Sequence, residues 1–117
     1  MSTGLQTQLA DRTTLDGAGA GQVAVYAPGG GDLVVTLQTV ATSTATKVPT
    51  ALIYRNAVTA VNQIEGSYTG SNDSSDTRIV LHPGESLICA LTGVDAGAFA
   101  TYRISGVLYP PGQAPAE

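Results

Sequence analysis

Glycine and proline break this chain at short intervals, with fourteen glycines and six prolines among 117 residues. Glycine costs a regular element backbone entropy and proline removes a ladder hydrogen bond, so each marks a place where a helix or strand tends to stop. The runs between them are rich in threonine and valine and poor in lysine and glutamate. β-Branched side chains fit a pleated sheet better than a helix. The combination predicts an all-β chain of about eight short strands with tight turns, folded as a single β-sandwich of jelly-roll or Greek-key kind.

Alternation places the strands. Met1–Gly21 is polar and ends in Asp16-Gly-Ala-Gly-Ala-Gly21. It is expected to be either an extended arm with a short strand at Gln8–Thr13 or a tail without structure. Gln22–Tyr26 is a strand stopped by Pro28 and Gly29-Gly-Gly31. Asp32–Ala41 is the clearest early strand, with Leu33, Val35 and Leu37 on one face and Thr36 and Gln38 on the other. Val34 weakens its alternation, as in a strand covered on both sides. Thr42–Val48 is a polar loop closed by Pro49, and Thr50–Asn56 is the next strand. Ala57–Tyr68 fits two descriptions: Val58, Val61 and Ile64 recur at a spacing of one or two helical turns, while the surrounding Thr, Asn and Gly favour a strand near Gln63–Tyr68. The strand is preferred. Thr69–Asp76 has the composition of an exposed loop.

Thr77–Leu81 and Ser86–Thr92 are expected as strands on either side of His82-Pro83-Gly84. The last strand is Ala98–Tyr109, with Tyr102, Ile104, Gly106 and Leu108 on one face. The domain itself is expected over residues 22–109, with an N-terminal arm at 1–21 and a C-terminal tail at 110–117. The expected core is Leu33, Val35, Leu37, Leu52, Ile79, Leu81, Leu87, Leu91, Ile104 and Leu108.

Hydrophobic residues make up 43% of the chain and charged residues only 12%, against roughly a quarter charged in ordinary soluble domains. Thr, Ser, Gly, Asn and Gln must then cover most of the surface. Such a surface suits broad protein contact or repetition in an assembly. Five basic against nine acidic side chains give a net charge of −4. That balance argues against nucleic acid and against anionic membrane surfaces as partners. Met1–Ala10 lacks the charged and apolar regions of a secretory signal, and no apolar run approaches the roughly 20 residues that span a bilayer. The chain is expected to be made in a cytoplasm and to be soluble there.

Side chains able to do chemistry are few. Cys89 lies in the apolar run Leu87-Ile-Cys-Ala-Leu91, where a thiol behaves as a small buried hydrophobe, and one cysteine allows no internal disulfide. The single histidine, His82, sits in a turn beside proline. Any Ser-His-Asp arrangement would have to use it, and no G-x-S-x-G elbow occurs. One Cys and one His do not make a zinc cluster. Asn72-Asp-Ser-Ser-Asp76 offers oxygens but lacks the glycine and terminal glutamate of a calcium loop. Gly29–Gly31 and Gly17–Gly21 are followed neither by lysine nor by a helix start that receives phosphate, and are expected as turns. Tyr26, Tyr54, Tyr68, Tyr102, Tyr109 and Phe99 are the only aromatics, and the absence of tryptophan counts against a sugar platform. The chain is expected not to be an enzyme, with no catalytic, cofactor-binding or metal-binding residues and no cofactor.

Three stretches share a cadence. Leu81–Leu87 reads L-x-P-G-E-x-L, Thr92–Thr101 is a glycine–alanine hairpin, and Val23-Ala-Val-Tyr-Ala-Pro-Gly29 precedes a Val/Thr-rich strand. Together with Ile104–Tyr109 they resemble small β-sandwich accessory proteins of tailed bacteriophages, across roughly Gln22–Tyr109. The resemblance implies a capsid decoration (cement) protein on the virion surface. It also implies the major capsid protein as partner and self-association, with a trimer favoured. A tail-tip or fibre module that recognises a host surface or another tail protein is the alternative.

Overall fold

The computed structural model describes residues 4–43, 50–69, 72–75 and 78–110, and most of these lie in strands. In chain order the strands are β1 (Leu5–Thr14), β2 (Gly21–Tyr26), β3 (Asp32–Thr42), β4 (Thr50–Arg55), β5 (Gln63–Thr69), β6 (Asn72–Ser75), β7 (Ile79–Leu81), β8 (Ser86–Thr92) and β9 (Phe99–Tyr109). Ala60–Asn62 forms a single 3-10 turn before β5, so both patterns seen in Ala57–Tyr68 are present in succession. One sheet has the order β1-β9-β3, with β6 and β7 end to end along the far side of β3. The other has the order β2-β8-β4-β5. Every pairing is antiparallel.

With β6 and β7 sharing one lane, the described strands occupy eight lanes. The chain changes sheet at every connection except β4–β5 and the break between β6 and β7. This is the order of a jelly roll, two Greek keys wound together. The expectation of an all-β sandwich holds, and the topology selects jelly roll from the two kinds left open.

The core lies between the sheets. Val23, Val25, Leu33, Val35, Val40, Ile53, Leu81, Leu87, Cys89, Leu91, Tyr102 and Ile104 belong to one buried cluster. Of the expected core, Leu33, Val35, Ile79, Leu81, Leu87, Leu91 and Ile104 are buried, and Leu108 packs partly against them. Leu37 and Leu52 are corrections. Leu52 is half-buried on the outer side of β4, because Ala51 and Ile53 take the inward positions.

Leu37 is exposed because β3 carries a bulge between Val35 and Leu37, where its register against β9 shifts. One extra residue, Thr36, reverses the alternation beyond it. Gln38 therefore turns inward and is fully buried, contrary to its expected outward position. There the Tyr102 hydroxyl donates to Gln38 Oε1 at 2.5 Å.

Two further stretches differ from expectation. The segment read as an extended arm carries β1, longer at both ends than Gln8–Thr13 and paired with β9 along its whole length. Within Thr69–Asp76, expected as loop, Asn72–Ser75 is strand β6 and pairs with Gln38–Ala41. Backbone pairing at a sheet edge asks little of side-chain polarity, so the loop-like composition did not prevent it. The loop expected at Thr42–Val48 and the tail beyond Pro110 lie largely outside the described residues.

Candidate interaction face

Three connections meet at one end of the sandwich, and the single histidine is there. His82-Pro83-Gly84-Glu85 makes a tight turn between β7 and β8, with proline second and Gly84 third at φ 86°. Glu85 N–H donates to His82 C=O at 3.0 Å. Those are the requirements of a type II turn. The Glu85 carboxylate reaches back to accept from His82 N–H at 2.7 Å. It also accepts from Arg55 at 3.4 Å and from Asn56 Nδ2 at 3.5 Å. Arg55 donates to the Val80 carbonyl at 2.9 Å as well, tying β4 of one sheet to β7 of the other. Ala27 N–H donates to Glu85 C=O at 2.8 Å, which anchors the β2–β3 loop to the same turn.

His82 Nδ1 lies 2.8 Å from Asp32 Oδ1. The hydrogen bond to that carboxylate, and then its charge, raise the imidazole above its usual value although the ring is mostly exposed. For Glu85, burial pushes the carboxyl up. The His82 N–H, the Arg55 charge and Asn56 outweigh it, so the group sits below the usual carboxylate range. Each polar group thus spans two connections. The arrangement closes an end of the sandwich.

Cys89 is buried at the centre of the core, and burial pushes its thiol up to about 12, so little thiolate is present at neutral pH. Among the described residues no three of His, Cys, Asp and Glu are grouped to hold a metal. The side chains of Asn72–Asp76 lie outside the described residues. Gly17–Gly21 is a corner: Asp16 Oδ1 accepts from Ala18 N–H at 2.9 Å and Ala20 N–H at 3.0 Å. Those bonds to Ala20 and Ala18 hold the Asp16 carboxyl below its ordinary value. Tyr102 is in the core, Tyr54 is buried on an outer surface, and Tyr26 is 67% exposed.

Among the described side chains the two outer faces differ in charge. On the β1-β9-β3 sheet, Arg12 stacks over Phe99, 5.2 Å from the ring centre, and Arg103 is exposed. The face of β2-β8-β4-β5 is built from cross-strand rows that the register defines. Ala24, Ile88 and Tyr54 form one row, Gln22, Ala90 and Leu52 the next, with Thr92 beside Thr50 at one end. Tyr26 borders it at the other end. Among the residues whose side chains are described, these rows hold no charged group.

This face explains a feature of the sequence. Ala51-Leu-Ile-Tyr54 and Leu87-Ile-Cys-Ala-Leu91 are apolar on both sides of their strands. A strand facing water on one side alternates apolar and polar, whereas a continuous apolar run belongs to a strand covered on both. The core covers one side of β4 and β8. Period-two alternation places Leu87 and Leu91 in the core and leaves Ile88 and Ala90 outward without a role, although the unbroken apolar runs were the signal of a second apolar side. No family model matches the chain, and no curated protein matches it.

Proposed function

We propose that this chain is a structural assembly module: a capsid decoration protein of a tailed bacteriophage that docks on the major capsid protein and catalyses nothing. The observation that carries the proposal is the outer side of β2, β8 and β4, whose described cross-strand rows hold no charged group and are apolar along both central strands. Ala24, Leu52, Ile88 and Ala90 are half-buried neighbours on this side, bordered by Gln22, Thr50 and Thr92, and adjoining apolar side chains that the core does not fully cover favour protein contact. The low charge of the whole chain favours dense repetition on a lattice, and the accessory-protein cadence points to a phage shell. The fold alone would not decide, because jelly rolls host many unrelated functions.

The test uses shells assembled from the major capsid protein of the same genome, stripped of accessory proteins. The purified chain is expected to co-sediment with them and to saturate at a fixed ratio to capsid subunits. A chain that stays in the supernatant at all concentrations contradicts the proposal.

A further inference from the structure

Strand β1 ends its sheet, and the hydrogen bonds around it reveal which backbone groups face outward. Leu15 N–H, one residue past the strand, donates to Ala98 C=O on the β9 side at 2.8 Å. Arg12 N–H instead meets the carboxylate of its neighbour, Asp11 Oδ1, at 2.8 Å. In an antiparallel ladder the N–H and C=O of one residue point the same way, and the direction alternates along the strand. The odd-numbered residues of β1 therefore bond to β9. Gln6, Gln8, Ala10, Arg12 and Thr14 turn their backbone groups to the open edge.

Natural proteins protect such edges with short strands, proline, lysine, bulges or inward charge. β1 is ten residues long, pairs with β9 without a register shift, and contains neither proline nor lysine. Asp11 occupies the Arg12 donor and so blunts one end. Among the described residues no strand pairs with the outer edge of Gln6–Ala10, and the side chains of Gln6, Gln8 and Ala10 are exposed. A groove of about 400 Å³, bordered by Gln6, Thr7, Gln8 and Ser105, runs beside this segment.

We propose that β1 pairs with β1 of a second copy, antiparallel about a two-fold axis at Gln8. Gln8 then faces Gln8, Gln6 faces Ala10, and each facing pair exchanges two main-chain hydrogen bonds. The register leaves Arg12 N–H with Asp11. A second copy is favoured over an unlike strand on charge: the chain carries −4, yet Gln6–Ala10 carries none and β1 as a whole is neutral. Two copies meet there without repulsion and the same open edge is supplied by both. The contact is isologous and closed, which removes both edges at once.

Sedimentation equilibrium of the full chain is expected to give twice the 11.8 kDa chain mass. Gln8→Pro deletes an edge donor and leaves the β9 ladder intact, since edge positions tolerate proline. It is expected to halve the mass with an unchanged circular dichroism spectrum. Should that variant fail to fold, Gln8→Lys sets two like charges across the axis and is expected to give the same halving. Gln8→Cys, oxidised, is expected to form a covalent dimer, because facing residues lie about 5.5 Å apart between Cα atoms. A monomer or trimer mass for the parent chain overturns the proposal, and so does a dimer that survives Gln8→Lys. Ile88→Asp, on the other sheet, is expected to leave the dimer mass unchanged, so failure of the docking face and failure of the edge are read separately.

Discussion

A Cβ placed on Gly106 would lie 2.0 Å from the Val34 carbonyl oxygen and 2.9 Å from Val35 Cα. The bulge at Thr36 presses β3 against β9 at that point, and only glycine leaves room for it. Gly106→Ala is expected to cost about 1–3 kcal/mol by forcing the strands apart, measured by urea unfolding. An unshifted midpoint would mean that the strands are not in close contact there. The bulge also exchanges the burial of Leu37 and Gln38, so two alanine substitutions test it together. Leu91→Ala, in the core, is expected to lose about 2–5 kcal/mol. Leu37→Ala, outside it, is expected to change stability by no more than about 0.5 kcal/mol. Equal losses would place Leu37 back in the core. Tyr102→Phe removes the donor to buried Gln38 Oε1 and is expected to cost about 1–3 kcal/mol. These residues also show where alternation stops being legible. Period-two reading put Tyr102, Ile104 and Gly106 on the buried face of β9 correctly, but a bulge adds one residue without any change in composition. Leu37 and Gln38 read as an ordinary alternating pair.

At the scale of elements, the turn joining β7 to β8 carries most of the chemistry that was readable in advance. Leu81 and Leu87 anchor it in the core, Pro83 and Gly84 set the turn type, and Glu85 folds back on His82 N–H. The Leu81–Leu87 part of the cadence that resembles phage accessory proteins is thus accounted for as turn chemistry. The pairing of His82 with Asp32, 50 residues earlier in the chain, was not legible, because the topology brings them together. It has a pH signature. The folded-state value of His82 is raised, so its stabilisation is fully present below the unfolded value of about 6.5 and is lost as pH rises through the folded value. The chain is expected to melt above His82→Gln near pH 6 and level with it near pH 9; a gap that widens with pH contradicts the pairing. Glu85 runs the other way. Its lowered value contributes stability above the usual carboxylate range, lost as pH falls through the folded value. β6 is the opposite case to the turn: Asn72–Ser75 has no strand signal, and what makes it a strand is the edge of β3 beside it.

Across the whole molecule, the sheets share one core yet present different surfaces. One offers Arg12, Arg103 and a long edge at β1; the other offers cross-strand rows centred on Ile88 that hold no charged group among the described side chains. An assembly unit needs surfaces of this kind pointing in different directions, one for its own copies and one for the lattice. In the proposed docking the lattice partner covers the outer side of β2, β8 and β4. That docking is tested most directly by titrating stripped shells with the chain and with Ile88→Asp, both verified as folded, alongside Ile88→Val. A charge between Ala24 and Tyr54 would be buried without a partner on docking, so affinity is expected to fall at least about tenfold, or roughly 1.4 kcal/mol. Ile88→Val is expected to bind as the parent does. Equal binding by the parent chain and Ile88→Asp would contradict the account.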